Sequence, residues 1–170
     1  NSKWDEESRI KPKKDYTLVE LFAGAGGLAI GLEKAGFKSS LLNEIDKDAC
    51  ETLRQNRTKW NVVEGDISKI DFSEYKNKID VVSGGFPCQA FSIAGKRGGF
   101  EDTRGTLFFD VAEIIRRKKP KAVFLENVKG LFSHDRGKTI STILNVLRED
   151  LGYFVPNPEI INAKDFGVAQ

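Results

Sequence analysis

Cysteine and histidine are scarce in this 170-residue sequence: two cysteines, Cys50 and Cys88, and a single histidine, His134. That supply excludes a disulfide framework and any CxxC-type zinc site, so no metal is expected. So few cysteines suit a cytosolic, reducing compartment, which would keep a reactive thiol free. No apolar run approaches the roughly 18 residues of a membrane-spanning helix and no signal-peptide pattern is present, so no membrane partner is expected. An excess of either charge is also lacking: 27 Lys and Arg against 25 Asp and Glu leave a formal net charge of +2. A self-sufficient DNA-binding domain carries a stronger basic imbalance. If the protein binds a nucleic acid, either the cations cluster or most phosphate contacts lie on another part of it. Hydrophobic residues make up 39% of the chain, ordinary for a globular protein, and the length suits one domain. The chain begins with Asn, so residue 1 is not expected to be the native start.

What is present begins with a polar arm over residues 1–15, with Arg9, Lys11, Lys13 and Lys14 around Pro12 and no periodic apolar face. Thr17 to Phe22 then reads as a strand, followed by Ala23-Gly24-Ala25-Gly26-Gly27-Leu28-Ala29 and a helix with Leu28, Leu32 and Ala35 on one face. A glycine turn between strand and helix lets a ligand approach the backbone and the helix N-terminus. Gly24-x-Gly26-x-x-Ala29 fits the dinucleotide fingerprint. A second strand, Leu41 to Glu44, ends in an acid 20 positions after Gly24. A carboxylate there can accept both hydroxyls of a ribose, about 1.5–3 kcal/mol for each charged hydrogen bond. Nicotinamide and adenosylmethionine cofactors share that ribose, so this half of the chain does not separate them.

Lys47 to Asn56 is helical in pattern, with Cys50 as a small core residue. Asn61 to Glu64 is a third strand running into Gly65-Asp66-Ile67. Ile79 to Val82 is a short apolar run that reads as a buried strand. It stops at Gly84 and Gly85, which allow positive φ and close approach of a ligand. Pro87 then fixes the turn before Cys88, at a strand's carboxyl end, where open α/β sheets hold their ligands. A basic, glycine-studded loop from Gln89 to Thr103 follows, in which Lys96 and Arg97, with Arg104 just beyond, are the phosphate candidates. A helix striped by Leu107, Val111, Ile114 and Ile115 ends in the run Arg116 to Lys121, where cations favour the dipole. A strand from Ala122 to Val128 and a helix from Ile140 to Leu151 capped by Gly152 come next. Two extended segments, Tyr153–Val155 and Glu159–Ala163, close the chain.

Gly-Phe-Pro-Cys-Gln-Ala-Phe-Ser (85–92), with Gly-Phe-Glu-Asp-Thr-Arg-Gly-Thr-Leu-Phe-Phe-Asp (99–110), resembles the catalytic segment of the C5-cytosine DNA methyltransferases. Glu126-Asn127-Val128 is similar to that family's second chemical signature, and Asn162 to Gln170 to a later motif that normally continues to a catalytic arginine. The resemblance implies a Rossmann-like methyltransferase fold of the α/β class: a mostly parallel sheet, helices on both faces and a terminal antiparallel hairpin. It implies a catalytic and cofactor-binding domain over 16–170 without a target-recognition domain, of the bacterial restriction–modification type and DNA-associated in the cytoplasm. It also implies S-adenosylmethionine as cofactor, S-adenosylhomocysteine as product and double-stranded DNA as partner.

By the same resemblance, Cys88 is the nucleophile that adds to C6 of a flipped cytosine, and Glu126 hydrogen-bonds or protonates N3. Burial of a carboxyl there favours the protonated form. Cofactor binding falls to Phe22, Ala23, Gly24, Gly26, Gly27, Leu28, Glu44, Ile45, Asp66, Ile67, Pro87 and Leu107. Phe22 packs on the adenine, Asp66 takes its amino group and Ile67 walls its pocket. DNA binding falls to Gln89, Ser92, Lys96, Arg97 and Arg104. A complementary polypeptide, either a second subunit or the remainder of the same protein, is expected to carry the recognition domain and the arginine. The alternatives are a tRNA cytosine-C5 methyltransferase, an NAD-dependent oxidoreductase, which leaves Cys88 and Glu126 without a role, and a non-catalytic cofactor-binding subunit. A Cys-His hydrolase built on Cys88 and His134 has no third orienting residue.

Overall fold

The structure is a computed structural model that describes residues 15–72, 79–87 and 107–168. Those residues gather into two compact units, one ending at Asn127 and the other beginning at Val128. The first is a βαβ alternation. Strand β1 (Tyr16–Leu21) leads through helix α1 (Gly27–Lys34) to β2 (Phe37–Glu44), and through α2 (Lys47–Asn56) to β3 (Val62–Glu64). Strand β4 (Val81–Gly84), helix α3 (Leu107–Lys118) and β5 (Ala122–Leu125) complete it.

All ladders are parallel, and the strand order is β3-β2-β1-β4-β5. The chain therefore builds outward from β1 in one direction and then returns to its other edge. Right-handed crossovers place α1 and α2 on one face and α3 on the other. Burial agrees. Neighbouring residues of a strand point to opposite faces, yet Leu18 and Val19 are both fully buried, as is Leu42 beside Leu41 at 4% exposure. Ala29 of α1, Leu42 of β2, Leu53 of α2 and Trp60 form one apolar cluster. Trp60 Nε1 donates to Glu33 Oε1 at 3.2 Å, which ties the loop before β3 to α1. On the opposite side α3 buries Phe108, Phe109, Val111, Ala112, Ile114 and Ile115, each large side chain contributing about 1.5–3 kcal/mol.

Strand β2 starts earlier than its sequence suggests, because Phe37 to Ser39 are mostly polar yet pair with Tyr16 to Leu18. The register then slips by one residue at Ser40, whose hydroxyl caps the Leu18 carbonyl at 2.9 Å. The basic run that ends α3 and continues to Lys121 is partly neutralised within its own unit. Glu113 receives both Arg116 and Arg117, and Lys121 Nζ lies 2.7 Å from the buried Asp80.

In the second unit α4 (Lys138–Asn145) runs into a wider π-helical turn, Val146–Asp150. Gly152 at φ +72° ends it, with the Tyr153 N–H on the Leu147 carbonyl at 2.9 Å. The terminal hairpin is not formed: residues 153–162 carry no ladder, and Ala163–Phe166 is a 3-10 turn. Pro156 and Pro158 stand in the connection between the two segments, where each fixes its φ and offers no N–H. The Arg148 guanidinium instead takes the Val155 carbonyl, at 3.0 and 2.6 Å. An isolated two-stranded hairpin is in any case marginal. No helix among the described residues is long and apolar enough to cross a membrane.

Two glycines of the α1 region make opposite demands. Gly26 sits at φ +88°, and a Cβ there would come 2.7 Å from Leu53 Cδ2 and 3.0 Å from the Trp60 ring. Gly31 is exposed, with open space where a methyl group would stand. Gly26→Ala is expected to cost about 2 kcal/mol or more in urea unfolding. Gly31→Ala is expected to stabilise by about 0.5–1 kcal/mol. Equal effects at the two sites would contradict this packing.

Candidate active site

The carboxyl ends of β1, β2, β3 and β4 come level where Leu21 pairs with both Asn43 and Gly84, and Glu44 with Glu64. Strand order reverses between β1 and β4, and sheets of this kind hold ligands at such a point. A cleft of about 310 Å³ lies there, lined by Phe22, Asn43, Glu44, Ile45, Gly65, Asp66, Ile67, Gly85, Pro87 and Leu107. Seven of the residues assigned above to the cofactor meet in it: Phe22, Glu44, Ile45, Asp66, Ile67, Pro87 and Leu107.

The other five do not line it. Ala23 is buried in the apolar cluster. Gly26 packs on Leu53 and Trp60, and Gly27 and Leu28 open α1. Gly24, at φ +52°, offers its N–H to Glu44.

Glu44 is the hub of the cleft. Its Oε2 receives the Gly24 N–H at 2.7 Å, and its Oε1 receives those of Ile45 and Asp46 at 2.8 and 2.9 Å. The 20-residue spacing between glycine turn and acid therefore corresponds to a direct bond. A carboxylate has about four lone-pair sites. Three donors are already in place, which leaves Oε2 the more open oxygen.

Asp66 caps the short turn Ile67–Lys69 through Oδ1, which receives the Ser68 hydroxyl and N–H at 2.8 and 3.0 Å. Those bonds, with Lys69 nearby, hold its carboxyl below the usual range, so it stays an acceptor through neutral pH. Phe22 is held at φ +56°, a conformation that costs a non-glycine residue about 1–3 kcal/mol. Strain of that kind survives where the surroundings fix a side chain for use.

Asn43 was not singled out from the sequence. It is 1% exposed, and its Nδ2 donates to the carbonyls of Val63 at 3.2 Å and Gly65 at 2.9 Å. It thus holds the loop that presents Asp66 and Ile67. An amide inside the apolar run Leu41-Leu42-Asn43 of a strand buried on both faces was the available signal.

At the β4–β5 edge neither Gly84 nor Gly85 has positive φ, so the expected conformational role is corrected. Both serve close packing. A Cβ on Gly84 would lie 2.6 Å from the Leu21 carbonyl oxygen, and one on Gly85 would overlap the Glu126 carboxylate. Glu126 continues the ladder through its N–H to the Gly84 carbonyl at 3.1 Å. It is exposed, so the burial expected to protonate it is not provided by the described residues. Asn127 Nδ2 donates to the Phe86 carbonyl at 2.7 Å, and the Phe86 ring sits 5.3 Å from that of Phe108. The segment leading to Cys88 is pinned on both sides.

Cys88, Gln89, Ser92, Lys96, Arg97 and Arg104 lie outside the described residues, as do the rest of residues 88–106 and residues 1–14. His134 pairs through Nδ1 with Thr139 Oγ1 at 2.7 Å. Among the described residues no group of His, Cys, Asp or Glu could hold a metal ion.

Asn43→Ala would strand the Val63 and Gly65 carbonyls, at about 1–3 kcal/mol for an unsatisfied buried group. Amide exchange at Gly65, whose N–H bonds the Glu44 carbonyl at 2.8 Å, is expected to quicken with the loss of stability. Unchanged exchange there would show that Asn43 does not hold this loop.

Comparison with known proteins places this geometry. The chain is 57% identical over 169 residues to the Type II methyltransferase M.Eco47II of Escherichia coli, covering 99% of this chain and 40% of that protein. It is 56% identical over 170 residues to M.HpaII of Haemophilus parainfluenzae, covering 99% of this chain and 47% of that one. The chain thus spans less than half the length of these curated relatives. Among solved structures, the S. pombe Dnmt2 methyltransferase superposes with a TM-score of 0.60 at 22% identity, over 79% of this chain and 40% of that one. The Entamoeba histolytica methyltransferase EhMeth gives 0.58 at 21%, over 81% and 45%. These two share the fold. The sequence profile described as C-5 cytosine-specific DNA methylase matches residues 16–170, and the chain belongs to that family.

Proposed function

We propose that this chain is the cofactor-binding and catalytic part of an S-adenosylmethionine-dependent DNA (cytosine-5-)-methyltransferase of the restriction–modification type. The observation that carries the reading is the position of one cleft. It brings Glu44, whose carboxylate holds the glycine turn through the Gly24 N–H, to the Gly85–Pro87 segment leading to Cys88, with Glu126 against Gly85.

The lining suits an adenosyl group. Phe22, Ile45, Ile67 and Leu107 offer apolar walls for a base, Asp66 an acceptor for its amino group, and Glu44 Oε2 an acceptor for a ribose hydroxyl. A second hydroxyl at Glu44 would have to share Oε1 with the Ile45 and Asp46 N–H groups. The volume falls within the range of small-ligand pockets. When bound, the cofactor supplies an electrophilic methyl group on a sulfonium.

The chain's own groups supply the rest. Cytosine C5 is a poor nucleophile until the Cys88 thiolate adds to C6 and pushes electron density onto C5. A free thiol with pKa near 8.5 is only a few per cent ionised at neutral pH, so the closed site has to activate it. Glu126 hydrogen-bonds or protonates N3, and the entering base supplies the desolvation that the open carboxyl lacks. In a duplex the base must first leave the stack, at a few kcal/mol. The loop from Gln89 to Thr103, with Lys96, Arg97 and Arg104, is proposed to close behind it.

Target recognition is assigned to the further length that the relatives carry. Those relatives hold the matched region within one longer chain. Of the two forms expected for the complementary part, a second subunit or the remainder of the same protein, a separate partner polypeptide therefore has no support in the comparisons. The NAD-dependent reading gives Glu126 and the pinned Phe86 segment nothing to do.

The test uses the full-length protein and a duplex carrying 5-fluorocytosine at its target. The wild type is expected to form a stable covalent adduct and Cys88→Ser none, with S-adenosylhomocysteine binding retained. Glu126→Gln is expected to lower the single-turnover rate by roughly 10²–10⁴-fold. Adduct formation by Cys88→Ser would overturn the nucleophile assignment, and an unchanged rate in Glu126→Gln would make that residue structural.

A further inference from the structure

Asn43 lines the cleft although it is 1% exposed. The two ends of its amide are in different circumstances. Nδ2 donates to the Val63 carbonyl at 3.2 Å and to the Gly65 carbonyl at 2.9 Å, which uses both of its hydrogens. Carbonyl oxygens only accept, so the NH₂ has to face them and Oδ1 has to face away. Among the described residues no donor reaches Oδ1. Nor is that oxygen fully enclosed. The opening available to it is the cleft that the residue lines.

An acceptor in such a position has given up most of its water and gained no partner from the fold. A ligand donor would complete it. An adenosyl group brings an amino group on its base and two hydroxyls on its ribose. Asp66 is the acceptor proposed for the amino group, and Glu44 Oε2 for one hydroxyl. The second hydroxyl finds Glu44 Oε1 occupied, because the Ile45 and Asp46 N–H groups fill its two lone-pair sites at 2.8 and 2.9 Å. Asn43 is next to Glu44 in the chain, and both side the same cleft.

We propose that Asn43 Oδ1 is a ligand-binding acceptor that takes the ribose hydroxyl Glu44 leaves over. This rests on the reading of the cleft as an adenosyl site. One amide then serves both partners: its NH₂ holds the Gly65 loop, and its oxygen binds the sugar. Aspartate could not replace it, since a carboxylate would set an oxygen against the Val63 and Gly65 carbonyls. Glu44 and Asn43 together demand both hydroxyls. A site built to bond a hydroxyl rejects an analogue that lacks it, because its own polar group is left unpaired.

The experiment measures S-adenosylhomocysteine and its 2′-deoxy and 3′-deoxy forms by calorimetry on the full-length protein, as wild type and as Glu44→Ala. The NMR carbonyl shift of the Asn43 side chain is followed in each wild-type complex. In the wild type each missing hydroxyl is expected to weaken binding roughly tenfold, the worth of one hydrogen bond to a polar partner. In Glu44→Ala one of the two deletions should lose its cost and the other keep it, since only the first bond involved Glu44. The Asn43 carbonyl shift should move with S-adenosylhomocysteine but not with the deoxy form whose cost survives. Loss of both costs in Glu44→Ala would overturn the proposal by assigning both hydroxyls to Glu44. An Asn43 shift identical in all three complexes would overturn it as well, and decides alone if Glu44→Ala does not fold. Absence of binding of all three ligands to the wild type would instead remove the adenosyl reading, and the proposed role with it.

Discussion

The bond between the Glu44 carboxylate and the Gly24 N–H is the constraint on which the site depends. It joins the turn after β1 to the end of β2, beside the bond from the Ala23 N–H to the Asn43 carbonyl at 2.9 Å. Both oxygens of Glu44 are engaged by backbone, so the side chain has a single orientation before any ligand arrives. Pre-organisation of this kind reduces the ordering cost of binding. The neighbouring Asn43 does the same for the third loop, holding Gly65 by its carbonyl so that Asp66 and Ile67 face the same space.

Glycine is used along this edge for three different reasons. Gly24 needs its positive φ, and a Cβ there would meet nothing. Gly26 needs both its φ and its missing side chain, because Leu53 and Trp60 pack against it. Gly84 and Gly85 need only the missing side chain, one for the Leu21 backbone and one for the Glu126 carboxylate. The last case links structure to chemistry most directly. The position of a carboxyl proposed to act on a cytosine ring is set by the absence of a methyl group on the facing strand end.

Much of this was legible because it is local. A glycine turn between an apolar strand and a helix, with an acid 20 residues on, needs no tertiary knowledge to be noticed. The parallel sheet follows from strands alternating with helical patterns. The rest depends on neighbours distant in sequence. The early start of β2 is hidden by the polar residues Lys38 to Ser40 and by the slip at Ser40. Extended, apolar Tyr153–Val155 and Glu159–Ala163 look like a hairpin, but the prolines between them and the Arg148 clasp direct those carbonyls elsewhere. Asn43 carries the lesson: a polar residue within the apolar run of a doubly covered strand has to find a partner inside the protein.

The most direct test of the account is the affinity of S-adenosylhomocysteine for full-length protein carrying Glu44→Gln, measured by calorimetry beside the wild type. The amide keeps the shape of the side chain and can still receive the Ile45 and Asp46 N–H groups. It then turns an NH₂ donor toward the Gly24 N–H and any ribose hydroxyl. The account predicts at least a roughly tenfold loss of affinity, one charge-assisted bond or more, in a protein that still unfolds cooperatively. Equal affinity in the two proteins would contradict it.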